Sequence, residues 1–369
     1  MRKPIACRLV LSLAYLATLA APPLLSAEGI DPQKAKASPD GKTLWYDCRD
    51  LVVEGKGWTD TQSFYDRLPA RAQRVVSSWL WMKSRHSAGL CVRFVSDAPI
   101  IQVRWTVTGA EIGMHHMPAT GVSGVDLYAK DKAGRWWFVD NGPARGPSNA
   151  ASFTPPPAQQ YLLYLPLYNS TQSIEIGIPK GRSFSQPAAS LLRKPIVFYG
   201  TSITQGACAS RPGMACAAIV GRRLDTPVIN LGFDGSGKME PELADLLADL
   251  HPSVYVLDCL WNMTPEMVSQ RVAPFARRLR MAHPQTPILL VEDSNLRNIC
   301  PTEKGRILRA VFATLTAEGM KNLFFLANHD MLGDDGEATV DGCHPSDLGM
   351  LRQAEVFVTT IRPLLEKGK

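Results

Sequence analysis

The chain reads as an α/β protein in which an N-terminal β-sandwich domain precedes a three-layer α/β/α domain with a five-stranded parallel sheet. Two textures along its 369 residues carry that reading. From about residue 40 to 178, short alternating runs are broken by turn residues, the period of strands with one face buried. Beyond Pro195, unbroken apolar runs alternate with helical stretches, as strands buried on both faces by crossover helices do.

In the first part, Cys91-Val92-Arg93-Phe94-Val95 and Ile101-Gln102-Val103-Arg104-Trp105 alternate apolar with polar. Tyr161 to Leu165 and Ser173 to Ile178 supply the last strands before Pro179, and Pro155-Pro156-Pro157 marks a rigid surface loop. The sandwich is expected over residues 38–180 and a linker over 181–194. The second domain, 195–369, has five apolar runs: Ile196 to Tyr199, Val228 to Leu231, Val254 to Leu257, Ile288 to Val291 and Leu323 to Leu326. A doubly wound parallel sheet binds ligands beyond the carboxyl ends of its strands, so the loops after these runs are where a site is expected.

Composition agrees with two folded cores: 45% of residues are hydrophobic and 20% charged, without a disorder signature. Met1-Arg2-Lys3, the apolar run from Leu9 to Ala21 and the small residues Leu25-Ser26-Ala27 read as a secretory signal peptide over residues 1–27. An uncleaved anchor fits less well, because the run is short and Pro22-Pro23 interrupts it. Export to the periplasm or the extracellular space is expected, with no stable membrane insertion after cleavage. Losing Arg2, Lys3 and Arg8 lowers the net charge from +6 to +3, which is no nucleic-acid footprint.

Eight cysteines become seven without Cys7, so at least one thiol is left over. Cys208 and Cys216 are either a disulfide stapling one loop or hidden, inert thiols. No Cys-x-x-Cys pair or His-rich cluster suggests a zinc site, and no cofactor is expected.

The chemistry begins at Gly200-Thr201-Ser202-Ile203-Thr204, where a small-residue turn carries a serine out of the end of the first apolar run. About 140 residues on, Asp341-Gly342-Cys343-His344-Pro345 places a carboxylate and an imidazole three residues apart. A serine hydroxyl is a weak nucleophile until an imidazole takes its proton, and a carboxylate fixes that imidazole's tautomer. Asn230-Leu231-Gly232-Phe233-Asp234-Gly235 and Asp258-Cys259-Leu260-Trp261-Asn262 follow the second and third runs. Each puts a candidate donor for a developing oxyanion at a strand end.

These four blocks, in this order, resemble those of the SGNH (GDSL-like) hydrolases at Ser202, Gly235, Asn262 and His344. The first block reads Gly200-Thr201-Ser202-Ile203 instead of Gly-Asp-Ser-Leu, and the third reads Trp261-Asn262-Met263 instead of Gly-x-Asn-Asp. Both departures resemble a bacterial subgroup with an N-terminal β domain bearing Gly-x-Asp-Leu-Tyr, matched by Gly124-Val125-Asp126-Leu127-Tyr128. The resemblance implies Ser202 as nucleophile, His344 as base and Asp341 as its orienter. It implies an oxyanion hole of the Ser202 and Gly235 N–H groups and the Asn262 amide.

Gly232 to Lys238 mimics a phosphate-binding loop, but Met239 stands where the magnesium-binding hydroxyl belongs, and Gly237-Lys238 are expected to begin a helix instead. Trp45, Trp58, Trp79, Trp81, Trp105, Trp136 and Trp137 crowd the first domain, as core residues or as sugar-stacking rings. The segment Gly113 to Thr120, with His115-His116, is a candidate loop reaching the catalytic face. Glu292-Asp293 is either a substrate contact or an ordinary strand end.

The expected activity is that of a serine esterase removing a small acyl group, acetyl by resemblance, from an acylated carbohydrate or small ester through an acyl-enzyme. The alternatives are a carbohydrate O-acyltransferase and a carbohydrate-binding protein with an inactive hydrolase domain.

Overall fold

The computed structural model describes residues 27–158, 160–187, 193–297 and 299–366. The expected signal peptide, Ala27 apart, lies outside them. Described residues of the first domain form a seven-stranded and a five-stranded antiparallel sheet. Inward side chains of both, among them Val92, Phe94, Leu127 and Leu163 from one and Val103, Trp105 and Ile174 from the other, make one core. Within the stretch read as linker, Phe184–Pro187 is a strand between Ala27–Gly29 and Cys91–Ser96.

The second domain carries five parallel strands: Ile196–Gly200, Val228–Gly232, Val254–Asp258, Ile288–Val291 and Leu323–Leu326. Their order in the sheet is second, first, third, fourth, fifth. Side-chain alternation splits each strand between two layers. Ile196, Phe198, Val254 and Val256 pack with Cys216–Leu224 and Asp347–Glu366. Val197, Tyr199, Tyr255 and Leu257 pack with Pro241–Ala248, Pro265–Ala282 and Glu303–Ala317.

Both clusters extend into the first domain. One includes Cys91, Tyr128, Leu162 and Tyr164, and the other Trp58, Leu68, Leu80 and Trp81. The two domains are thus joined by continuous apolar packing. Trp58, Trp81 and Trp105 are core residues, while Trp79 and Trp137 are exposed. Among the described residues no helix is long and apolar enough to cross a membrane.

The helix expected at Gly237-Lys238 begins at Pro241. Gly237 instead takes φ of 71°, and a Cβ there would lie 1.9 Å from the Gly200 carbonyl oxygen. It turns the chain beneath the end of the first parallel strand.

Candidate active site

Register aligns Gly200 with Gly232 on one side and with Asp258 on the other, so three adjacent strands end level. The chain reverses sheet direction at this point, the position where doubly wound sheets place their crevice. Ser202 opens the short helix Ser202–Gln205, and the Thr201 hydroxyl caps it by accepting from the Ile203 N–H at 3.2 Å. Tyr168 of the first domain donates to the Ser202 carbonyl at 3.2 Å.

The Ser202 side chain meets His344, with Oγ 2.8 Å from Nε2. His344 Nδ1 lies 2.8 Å from Asp341 Oδ2, and Asp341 Oδ1 accepts from the N–H groups of His344 at 2.7 Å and Cys343 at 3.0 Å. Partial burial works to raise the Asp341 pKa, but these hydrogen bonds outweigh it and hold the carboxylate at about 2. An ionised Asp341 accepts the Nδ1 proton, which leaves Nε2 as the lone pair facing the serine. Hydroxyl, imidazole and carboxylate therefore form one connected chain.

Gly235 sits with φ of 69° in the turn after the second strand, and a Cβ there would lie 2.8 Å from Trp79 Nε1. Among the described residues, neither its N–H nor that of Ser202 has a hydrogen-bond acceptor. The turn is held from three sides. Gln205 Oε1 accepts from the Asp234 N–H at 3.1 Å, Trp79 Nε1 donates to the Asp234 carbonyl at 2.7 Å, and Lys83 pairs with the Asp234 carboxylate at 2.8 Å. Asn262, after the third strand, donates from its amide to the Ser236 carbonyl. One amide proton is spent on that bond, and a second is left.

Residues that no local motif reveals fix this arrangement. The buried Arg67 of the first domain donates to the carbonyls of Asn230 at 3.1 Å, Gly232 at 2.6 Å, Lys83 at 2.7 Å and His86 at 2.7 Å. His86, pushed down to about 3 by burial and by Arg67, stays neutral, and its Nδ1 is 3.1 Å from Gln205 Nε2.

The Gly-x-Asp-Leu-Tyr motif docks the segment after the nucleophile helix. Leu127 faces the sandwich core, whereas Asp126 accepts from the Gly213 N–H at 2.8 Å and pairs with Arg211 at 3.0 Å. A Cβ at Gly213 would lie 2.3 Å from the Tyr128 ring, so only glycine lets the two surfaces meet.

The loop containing His115-His116 does reach the catalytic face: the His116 and His344 rings are 6.4 Å apart, and the buried Nδ1 of His116 has no hydrogen-bond partner among the described residues. Glu292 points inward, accepting from Arg309 at 2.8 Å and from the Thr302 N–H at 3.2 Å, an internal anchor for the strand end. Cys208 and Cys216 are buried and unpaired, as hidden thiols and not as a staple, and burial pushes Cys208 up to about 12. Among the described residues no group of three His, Cys, Asp or Glu side chains is placed to hold a metal ion.

Residues 193–362 match the GDSL-like Lipase/Acylhydrolase family, and residues 43–184 match the N-terminus of Esterase_SGNH_hydro-type proteins. A GDSL-like lipase from Bacteroides ovatus is 31% identical, with 88% of this chain and 98% of that one covered at a TM-score of 0.81. The chain belongs to the GDSL-like lipase/acylhydrolase family. This hydrolase also shares its fold with a salicylyl-acyltransferase from a tetracycline biosynthetic pathway, at 18% identity, TM-score 0.69, and coverage of 92% and 97%. A family two carbohydrate esterase from Clostridium thermocellum, in complex with cellohexaose, is 14% identical with a TM-score of 0.52 over 75% of this hydrolase and 92% of that chain. Comparison with curated proteins gives no match.

Proposed function

We propose that this hydrolase is an exported esterase that removes small acyl groups, acetyl above all, from a carbohydrate through an acyl-enzyme on Ser202. The observation that carries the chemistry is the unbroken chain from Ser202 Oγ to His344 Nε2 and from His344 Nδ1 to Asp341, each link 2.8 Å. Ser202 Oγ attacks the ester carbonyl carbon while His344 Nε2 takes its proton, and Asp341 steadies the imidazolium. The N–H groups of Ser202 and Gly235 and the free proton of the Asn262 amide receive the charge that builds on the carbonyl oxygen. As the C–O bond to the alcohol breaks, His344 returns the proton to that oxygen. Water then attacks the acyl-enzyme with His344 again as base, releasing the acid and restoring the serine.

Ser202 is only 6% exposed, which suits a small acyl group. The fold shared with a carbohydrate esterase supports a sugar as the alcohol half. Export rests on the signal-like residues 1–27.

The test is acetate release by the purified mature protein, beside Ser202→Ala, from p-nitrophenyl acetate and from acetylated plant and bacterial polysaccharides. Serine-dependent acetate release from a polysaccharide supports the proposal. Release from neither substrate overturns it, and loss of acyl groups to a sugar hydroxyl without free acid assigns a transferase instead.

A further inference from the structure

Trp79 and Trp137 are both exposed tryptophans of the first domain, and Trp79 is the one that abuts the turn carrying Gly235. It lies on the helix Ser78–Ser84, whose inner face buries Leu80 and Trp81 in the core beneath the parallel sheet. Trp79 and Met82 share the outer face and are 48% and 44% exposed. The indole is nevertheless fixed. Its Nε1 donates to the Asp234 carbonyl at 2.7 Å, and the Lys83 ammonium lies over the ring, 4.4 Å from the centroid. Lys83 is in turn bound to the Asp234 carboxylate at 2.8 Å. The indole edge abuts Gly235, where a Cβ would come within 2.8 Å of Nε1.

A rigid indole open to solvent beside a candidate oxyanion donor is a preorganised surface. The entropy of fixing its rotamer is spent on folding and not on binding. What suits such a surface is a flat ligand with one apolar face and a polar rim, and a pyranose ring has both. Its axial C–H groups cover the indole, while its hydroxyls stay wet. The Lys83 ammonium lies over one face of the indole and is paired with the Asp234 carboxylate, which leaves the other face for the ring.

We propose that Trp79 is a sugar-binding platform contributed by the β domain, on which the pyranose ring of the alcohol half stacks while its ester faces Ser202. This rests on the esterase reading of Ser202.

The experiment compares wild type, Trp79→Ala and Trp79→Phe on two esters, with acetate release as the readout. Ethyl acetate offers no ring face, whereas peracetylated methyl β-glucopyranoside does. Trp79→Phe keeps an aromatic face but removes the hydrogen bond to the Asp234 turn. Both variants lose that hydrogen bond and should slow alike on ethyl acetate, whereas on the sugar ester Trp79→Ala should fall about tenfold or more below Trp79→Phe in kcat/KM, chiefly through KM. Trp79→Phe, which keeps the ring face, should lose the same factor on both esters. Equal losses on both esters in both variants would show that Trp79 only props the turn, and unchanged sugar-ester turnover in Trp79→Ala would show that it touches no sugar. Each result overturns the proposal. A wild type that cleaves ethyl acetate but not the sugar ester also overturns it, and one that cleaves neither overturns the esterase reading instead.

Discussion

Arg67, from the first domain, donates a hydrogen bond of 2.6 Å to the carbonyl of Gly232, the last residue of the strand that leads to Gly235. The same guanidinium holds three other carbonyls and is 2% exposed, without a carboxylate partner among the described residues. Burial accordingly pushes its pKa down to about 9.

Arg67→Met should therefore cost about 3 kcal/mol or more, because each buried carbonyl stranded without a donor costs about 1–3 kcal/mol. Urea denaturation measures the loss. If the arginine also sets the Gly235 turn, kcat at temperatures where the variant stays folded will fall with little change in KM.

Ser202→Ala and His344→Ala should reduce ester hydrolysis to background while the fold is retained, as judged by circular dichroism. Asp341→Ala should keep roughly tenfold more activity than either, since it orients and stabilises but exchanges no proton with substrate. Activity of Asp341→Ala equal to wild type would remove it from the mechanism. Held at about 2, Asp341 stabilises the fold throughout the pH range above its ordinary value near 4, and that contribution is lost only as pH falls toward 2.

Asn262→Ala should lower kcat about a hundredfold if the amide meets the oxyanion. Because the amide also donates to the Ser236 carbonyl, a change confined to KM or to stability would assign Asn262 to holding the turn.

Asp126 is the buried member of the β-domain motif, and burial pushes its carboxyl up to about 6 against the pull of Arg211. Between about pH 4 and 6 the native state then binds more protons at this site than the unfolded state. Its contribution is fully present below about pH 4 and is lost as pH rises through 6. Asp126→Asn should flatten the stability profile across that window. Asp126→Ala, which strands Arg211 and the Gly213 N–H, should cost about 3 kcal/mol at neutral pH. Thermal melts at a series of pH values separate the two.

All five parallel strands were legible because a strand covered by helices on both faces must be apolar at every position, which leaves an unbroken run such as Ile196 to Tyr199. The candidates Ser202, Gly235, Asn262 and the pair Asp341 and His344 could be picked out for a related reason: each sits in a short turn just past such a run or just before the last helix. Arg67 and Lys83 could not be, and Trp79 was only one of seven tryptophans read as core or sugar-stacking, because their partners at 230–234 lie about 150 residues away and no local spacing encodes them. The false helix start at Gly237 came from reading a glycine-lysine pair by motif, where the close approach of the Gly200 carbonyl decides the backbone. For Cys208 and Cys216 a disulfide and hidden thiols stayed equally open, because proximity along the chain says nothing about where two thiols point, and the structure has them as hidden thiols.

The shared apolar clusters have a practical meaning for anyone who would treat the two domains as separable modules. Tyr128, Leu162 and Tyr164 on one side, and Leu68, Leu80 and Trp81 on the other, are covered only when both halves are present. Cutting the chain near residue 190 would bare greasy surface on both fragments and invite precipitation, and grafting a foreign β domain onto the catalytic half would require rebuilding that seam residue by residue. The molecule should melt in a single calorimetric transition, its two folds surviving or failing together.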